Sequence, residues 1–448
     1  MRKTSFQACV MPIFEISRVL FENTANCLEL CKQINYLTMK ETFFQIACLL
    51  LVMSTAVSCE ILDNDPDKHV QDNDSTTYVG LEEVAEILAL IPLKNDQMKE
   101  VHNAVTSSSG NGYDEEYTMK DLFEDPGSGV GDSPSTPENG TRSSEYDIPL
   151  RDLIEDAVRT RYAVKSGADE DGIDPDEFLR ILMDSDIQIY WPFSESWDGK
   201  SMPVITFDPE DGSEVNVGYR LIVEDDGFRR VEEVVVDEEM AESEPVWVVN
   251  RNSDAGFTTL EMLRREDPEW GEGGGNIVVR PSERTKAGSS LKSLILRDFT
   301  MNRNYDPWFA GASEFFVKTG SVEDFTASTE AEMRLYSPTV TDFLVVVKRS
   351  QKGKPVPFNA VLVSEWTDQM THCAFMITED DGGTITDWNC TALVRVASKS
   401  YGVEIKIPFN SRDDVVWRGQ LSSRWLEENS SLVGHFGDVD LTFEIVEY

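Results

Sequence analysis

Apolar residues recur at helical spacing through Leu81, Val84, Ile87, Leu88 and Ile91, and Pro92 stops the run. This predicts a first helix. Asn95 or Asp96 offers a cap for a second helix carrying Met98, Val101 and Val105, and a short third segment is expected over Asp114 to Phe123. Asp147 heads a further helix with Leu150, Leu153, Ile154, Ala157 and Val158. Another runs from Pro175 to Met183, with proline in the first turn, where its missing N–H leaves no bond unmade. From Ile187 the period drops to two. Ile187–Trp191, Val204–Phe207, Val215–Val223, Val231–Val236 and Val246–Val249 are rich in β-branched and aromatic residues and read as strands. Asp211-Gly212 and Asp226-Gly227 mark hairpin turns between them, and a short helix is expected near Thr258–Arg265.

The last part of the chain reads almost entirely as strands. These are Leu291–Phe299, Ser313–Lys318, Asp342–Lys348, Asn359–Ser364, Cys373–Thr378, Thr384–Cys390, Ala392–Ala397, Val403–Ile407, Val415–Gly419 and Val439–Val446. Many short strands with regular turn signals predict a sandwich. In length and strand count it is similar to C2-type or immunoglobulin-like sandwiches, without a sequence motif of either. The predicted fold is therefore α+β: a helical segment and flexible linker over 81–144, an α+β domain over 145–287 and an all-β sandwich over 288–448. The linker is drawn from the Gly, Ser, Pro, Thr and Asn content of Pro126 to Ser144.

Ahead of these elements, Lys40 is followed by an apolar run of about fifteen residues, Phe43 to Val57, and then by Ser58-Cys59. A spanning helix wants roughly 20 apolar residues; this run suits a cleaved secretion signal better. The small residues and the cysteine resemble a bacterial lipobox. That resemblance implies cleavage before Cys59 and lipid attachment at Cys59, with a secreted protein and an incidental cysteine as the alternative. The acidic stretch after Cys59, Glu60 to Asp67 and then Asp72 to Asp74, resembles the tether of Bacteroidetes surface-exposed lipoproteins, and a plain solvated linker over 59–80 remains the other reading. Localisation at the outer membrane or cell surface follows from the resemblance. Residues 1–38 suit no element and are taken as lying upstream of a start at Met39, with 39–58 as the signal.

Composition narrows the function classes. Against 40 Lys and Arg stand 82 Asp and Glu, a net charge of −42. Such a surface repels nucleic acid, whose binding rests on Lys and Arg. The glycines at 127, 129 and 131 precede no Gly-Lys-Ser/Thr, which excludes a phosphate-binding loop. Placing Gly172 at the central glycine of an EF-hand puts Gly167 and Phe178 where acids are required, which excludes that motif. The four histidines, His69, His102, His372 and His435, form no zinc or nucleophile motif.

Three chemistries remain. Asp306, Glu379-Asp380-Asp381, Asp413-Asp414 and Asp438 fall in expected loops of the sandwich, and carboxylates on loops suit calcium; Asp306, Asp380, Asp381, Asp413 and Asp414 are the metal candidates. Calcium is the one cofactor the residues suggest. Carboxylate pairs also serve hydrolases of glycans or peptides. Trp191, Trp197, Trp270, Trp308, Trp366 and Trp425 suit sugar stacking or a core equally well. Finally, a two-residue turn at Asp381-Gly382 sets Ile377 opposite Thr386, Phe375 opposite Trp388 and Cys373 opposite Cys390. That register predicts a Cys373–Cys390 disulfide. The leading expectation is a lipid-anchored surface binding or assembly module with a surface protein or glycan as partner, the alternative an exported carboxylate-dependent hydrolase.

Overall fold

The computed structural model describes residues 79–124, 146–165, 174–224, 228–252, 257–266 and 291–447. Cys59 with its leader and tether, the 126–144 linker, most of the Gly167–Asp174 loop and Asp226-Gly227 lie outside the described residues. Among the described residues, no helix is long and apolar enough to cross a membrane.

Helices α1 (Leu81–Leu90), α2 (Asn95–Gly110) and α3 (Met119–Phe123) come first, with the short strand β1 (Glu116–Thr118) between the last two. Helices α4 (Leu150–Lys165) and α5 (Pro175–Met183) follow. Their apolar faces bury Leu81, Val84, Ile87 and Leu88 of α1 and Ile154, Val158, Phe178 and Leu182 of α4 and α5 in one core. That core also takes Ile187, Ile189, Trp191, Trp247 and Val249 from the strands beyond. The N-termini are closed in two ways. Asp174 accepts the Asp176 amide at 3.1 Å ahead of Pro175. At α4 the expected cap, Asp147, is exposed; the buried Glu100 of α2 accepts the Leu150 amide at 2.8 Å instead. Tertiary contact thus replaces a local cap.

Strands β2 (Ile187–Tyr190), β3 (Val204–Phe207), β4 (Val215–Val223), β5 (Arg229–Asp237) and β6 (Val246–Arg251) join β1 in a six-stranded sheet of order β1-β2-β6-β3-β4-β5. All neighbours are antiparallel except β3 and β6. Helix α6 (Glu238–Ser243) bridges β5 and β6.

The chain after 291 is rich in antiparallel strands: β7 (Leu291–Met301), β8 (Ser313–Ser321), β9 (Thr339–Val347), β10 (Val356–Thr367), β11 (Met370–Glu379), β12 (Ile385–Val396), β13 (Lys399–Asn410), β14 (Asp414–Ser422), β15 (Val433–Phe436) and β16 (Val439–Glu447). One sheet has the order β10-β7-β16-β15; the other runs β13-β12-β11-β8-β9, with β14 also paired to β11. Leu294, Phe299, Leu441 and Phe443 of the first sheet share a core with Phe315, Phe375, Ile377 and Ile405 of the second. Each fully buried phenylalanine contributes about 2–3 kcal/mol of hydrophobic free energy. Leu260, in helix α7 (Leu260–Glu266), joins this core from ahead of the expected 287/288 boundary.

Strand β11 changes partners along its length. It meets β12 only at Met370 and His372, then pairs with β14 from His372 to Glu379 on that side. The β12–β13 ladder is continuous from Ile385 to Val396 and joins two segments that the sequence pattern separates.

Candidate metal centre

Along β11, Phe375 faces the opposing sheet, where it meets Phe436 and Phe443 at ring distances of 5.9 and 5.5 Å. Strand alternation puts Cys373, Ile377 and then Glu379 on the same face. Glu379 is only 1% exposed and is flanked by Phe315 on β8 and Asp414 on β14. An acid in a core phase of a strand demands a partner.

Asp306 comes to it from the β7–β8 loop. Arg349 Nη1 donates to the Asp306 carbonyl at 3.1 Å. Two residues on, Trp308 and Phe309 bury themselves against Tyr190, Val204 and Val248 of the first sheet. Trp308 Nε1 donates to the Glu214 carbonyl at 2.9 Å, and Asn250 Nδ2 to the Phe309 carbonyl at 3.0 Å. Asp381, in the turn after β11, completes the group. One carboxylate oxygen from each of Asp306, Glu379 and Asp381 lies within 4.8 Å of the others.

No N–H or hydroxyl donor reaches Oδ2 of Asp306 or Oε1 of Glu379, both buried. Burial raises both pKa values, most strongly for Glu379, where the facing Asp306 and the charges of Asp381 and Asp414 add to it. The pair must share a proton or a cation, because two bare carboxylates cannot be buried together. Asp381 is also raised, by burial and then by Asp414.

The metal candidates therefore divide. Asp306 and Asp381 meet, with Glu379 as the third member. Asp380 and Asp413 tie the turn instead: Asp380 Oδ1 accepts Gly382 N at 3.1 Å and Asn410 Nδ2 at 2.8 Å, and Asp413 Oδ2 accepts Asn410 N at 3.0 Å. Asp414 flanks the group, with its carboxylate 4.0 Å from Arg303 Nη2. Asp438 accepts Arg303 Nε at 2.7 Å. Glu379 was signalled in the sequence by its phase, the next inward position after Cys373, Phe375 and Ile377.

The expected Cys373–Cys390 disulfide is corrected: both cysteines are free. Cys373 is opposite Leu421 on β14 and Cys390 opposite Ile405 on β13. The turn explains the loss of register. Positive φ falls at Gly382 and Gly383, 68° and 104°, rather than at Asp381 and Gly382. The turn backbone then bonds sideways, Arg412 N to Gly382 O at 3.2 Å and Ser411 N to Thr384 O at 2.9 Å, so β14 takes the edge of β11. Phe375 accordingly packs on Trp417 of β14. Of the tryptophans offered for sugar stacking, Trp191, Trp308 and Trp366 are fully buried and Trp197 and Trp425 half-buried; Trp270 lies outside the described residues.

A second group of buried acids lies nearby. Asp114 accepts the Glu115 amide at 2.6 Å and the Ala312 amide at 2.9 Å. Glu115 accepts Ser194 Oγ at 2.6 Å and stands 3.7 Å from Lys348 Nζ. Arg349, its side chain 4% exposed, pairs with Glu238 at 2.7 Å. Burial lifts Asp114 against these donors and cations, and lifts Glu115 to about 8.

Two clefts are lined by other residues. One of about 680 Å³ is bordered by Leu88, Ile91, Leu93, Met202, Tyr219 and Leu221, and one of about 240 Å³ by Tyr113, Glu261, Val345 and Phe358. Neither is lined by Asp306, Glu379 or Asp381. Comparison with known proteins finds no matching family model, no similar curated protein and no similar solved structure.

Proposed function

We propose that this chain is an exported lipoprotein, held at the outer membrane or cell surface by lipid on Cys59, whose β-rich C-terminal part is a sandwich serving as a binding or assembly module. The observation that carries the reading is the order of Lys40, the apolar run to Val57, and Ser58-Cys59. Several acyl chains, each CH₂ adding about 0.8 kcal/mol, hold a protein firmly at a bilayer. The shared core of the two antiparallel sheets after Leu291 supports the sandwich. The partner class is a surface protein or glycan.

The rival, a carboxylate-dependent hydrolase, needs an acid pair open to substrate. Glu379, half of the facing pair, is 1% exposed, which favours the binding module. Membrane fractionation of a Cys59→Ala variant tests the anchor. Wild type should partition with membranes, with residues 1–58 absent and acyl mass on Cys59 by intact-mass measurement. A wild-type protein in the soluble fraction, or one that keeps residues before Met39, would overturn the reading.

A further inference from the structure

We propose that Asp306, Glu379 and Asp381 bind one calcium-class divalent cation, which clamps the β7–β8 loop to the end of β11. Two independent observations carry this. Three carboxylate oxygens from two loops and a strand end converge within 4.8 Å. Glu379, a member of that group and 1% exposed, keeps a buried Oε1 that no protein N–H or hydroxyl reaches, and Asp306, which faces it, has an Oδ2 likewise without a donor.

The class of ion follows from the donors, and their spacing is compatible with it. All three residues offer oxygen, which suits hard cations and not zinc or copper. Oxygens around one calcium ion stand no further apart than twice the metal–oxygen distance, about 4.6–5.2 Å. The spacing here falls within the calcium limit. Magnesium sheds water reluctantly and suits the buried Glu379 poorly. Three carboxylates leave room for water on the exposed Asp381 side.

The place of Asp306 gives the cation a structural consequence. Its loop also carries Trp308 and Phe309 into the first sheet, so fixing Asp306 to β11 braces the contact between that sheet and the C-terminal strands. This inference does not depend on the lipid anchor, and its test reads a different quantity.

The test is thermal unfolding of the purified full chain in EDTA, in millimolar calcium and in millimolar magnesium. Wild type should gain about 3 °C or more in calcium and less in magnesium. Asp306→Asn and Glu379→Gln should lose the calcium gain, and Glu404→Gln, an exposed acid on β13, should keep it. In EDTA, Glu379→Gln should melt no lower than wild type, because a neutral amide replaces a carboxyl that must hold a proton there when no cation is bound. That result separates a lost cation site from a damaged fold. Titration calorimetry should show one calcium site per chain that is absent from Asp306→Asn. No calcium shift in wild type would overturn the proposal. So would a shift that persists in Asp306→Asn and Glu379→Gln, which would mark adsorption to the acidic surface.

Discussion

Two groups of buried acids stand beside each other, and the chain treats them differently. Asp114 and Glu115 receive two backbone amides, a serine hydroxyl and the nearby Lys348, with Arg349 close enough to lower the pKa of Asp114. Asp306 and Glu379 face each other with buried oxygens that no donor reaches, although the same Arg349 holds the Asp306 carbonyl. The first group is closed by protein. In the second, carboxylate faces carboxylate and the protein supplies no donor to the oxygens left buried there. Burial alone therefore does not distinguish a structural acid from a ligand; the supply of donors does.

The contrast can be broken at its strongest point first. Arg349→Ala strips Glu238 of its buried partner and leaves the carbonyls of Asp306 and Gly311 without a donor. A loss of about 3–5 kcal/mol is expected in urea unfolding. Asp114→Ala should cost less, about 2–3 kcal/mol, since it orphans the buried Ala312 amide and frees Glu115 N. A Cβ on Gly311 would lie 2.9 Å from Asp114 Oδ2, which measures how closely that loop is seated.

A pH series sharpens the comparison further. Glu115 holds its proton in the fold up to about pH 8, burial outweighing Lys348, while Asp114 and Glu195 add repulsion and Ser194 opposes it. The unfolded chain gives that proton up near pH 4.5. Within this window the folded state binds more protons, so stability falls as pH rises and levels off above about 8. Glu100, raised to about 7 by burial, adds in the same direction. Each group contributes at most about 1.4 kcal/mol per pH unit. Glu115→Gln should flatten the fall, and an unchanged slope would remove Glu115 as its source. The smallest effect belongs to Glu379→Gln in EDTA, a change near zero or a slight gain; a loss above about 2 kcal/mol would show that the proton-sharing pair is itself stabilising.

Local pattern made much of the fold legible. Val204–Phe207 and Val215–Val223 form strands over those same residues because their alternation and flanking turns are strong. Pro175 announced the start of α5, and the Asp174 cap ahead of it went unread. What local pattern missed was decided at a distance. Glu100 supplants Asp147 at α4 from a helix that sequence spacing cannot place beside it. Asp381-Gly382 has the chemistry of a tight hairpin, yet Ser411 and Arg412 capture the turn and β14 takes the strand edge that the predicted cysteine pairing needed. Asp306 and Asp381 were readable as loop acids. That they meet depends on the seating of Trp308 and Phe309, which no local signal carries.

The partner change along β11 sets an order of assembly. Its ladder draws on β8, which precedes it, and on β14, which ends at Ser422. A growing or threading chain reaches Glu379 long before that last partner exists. Until then β11 presents an open edge of unbonded amides and carbonyls beside an apolar face holding Phe375 and Ile377, a template for pairing with the wrong strand. Closing it late requires contacts of long sequence separation, which makes this step slow. The strand at the centre of the native sheet is thus its most exposed piece during folding, and truncation anywhere before β14 should yield aggregates rather than a shorter soluble protein.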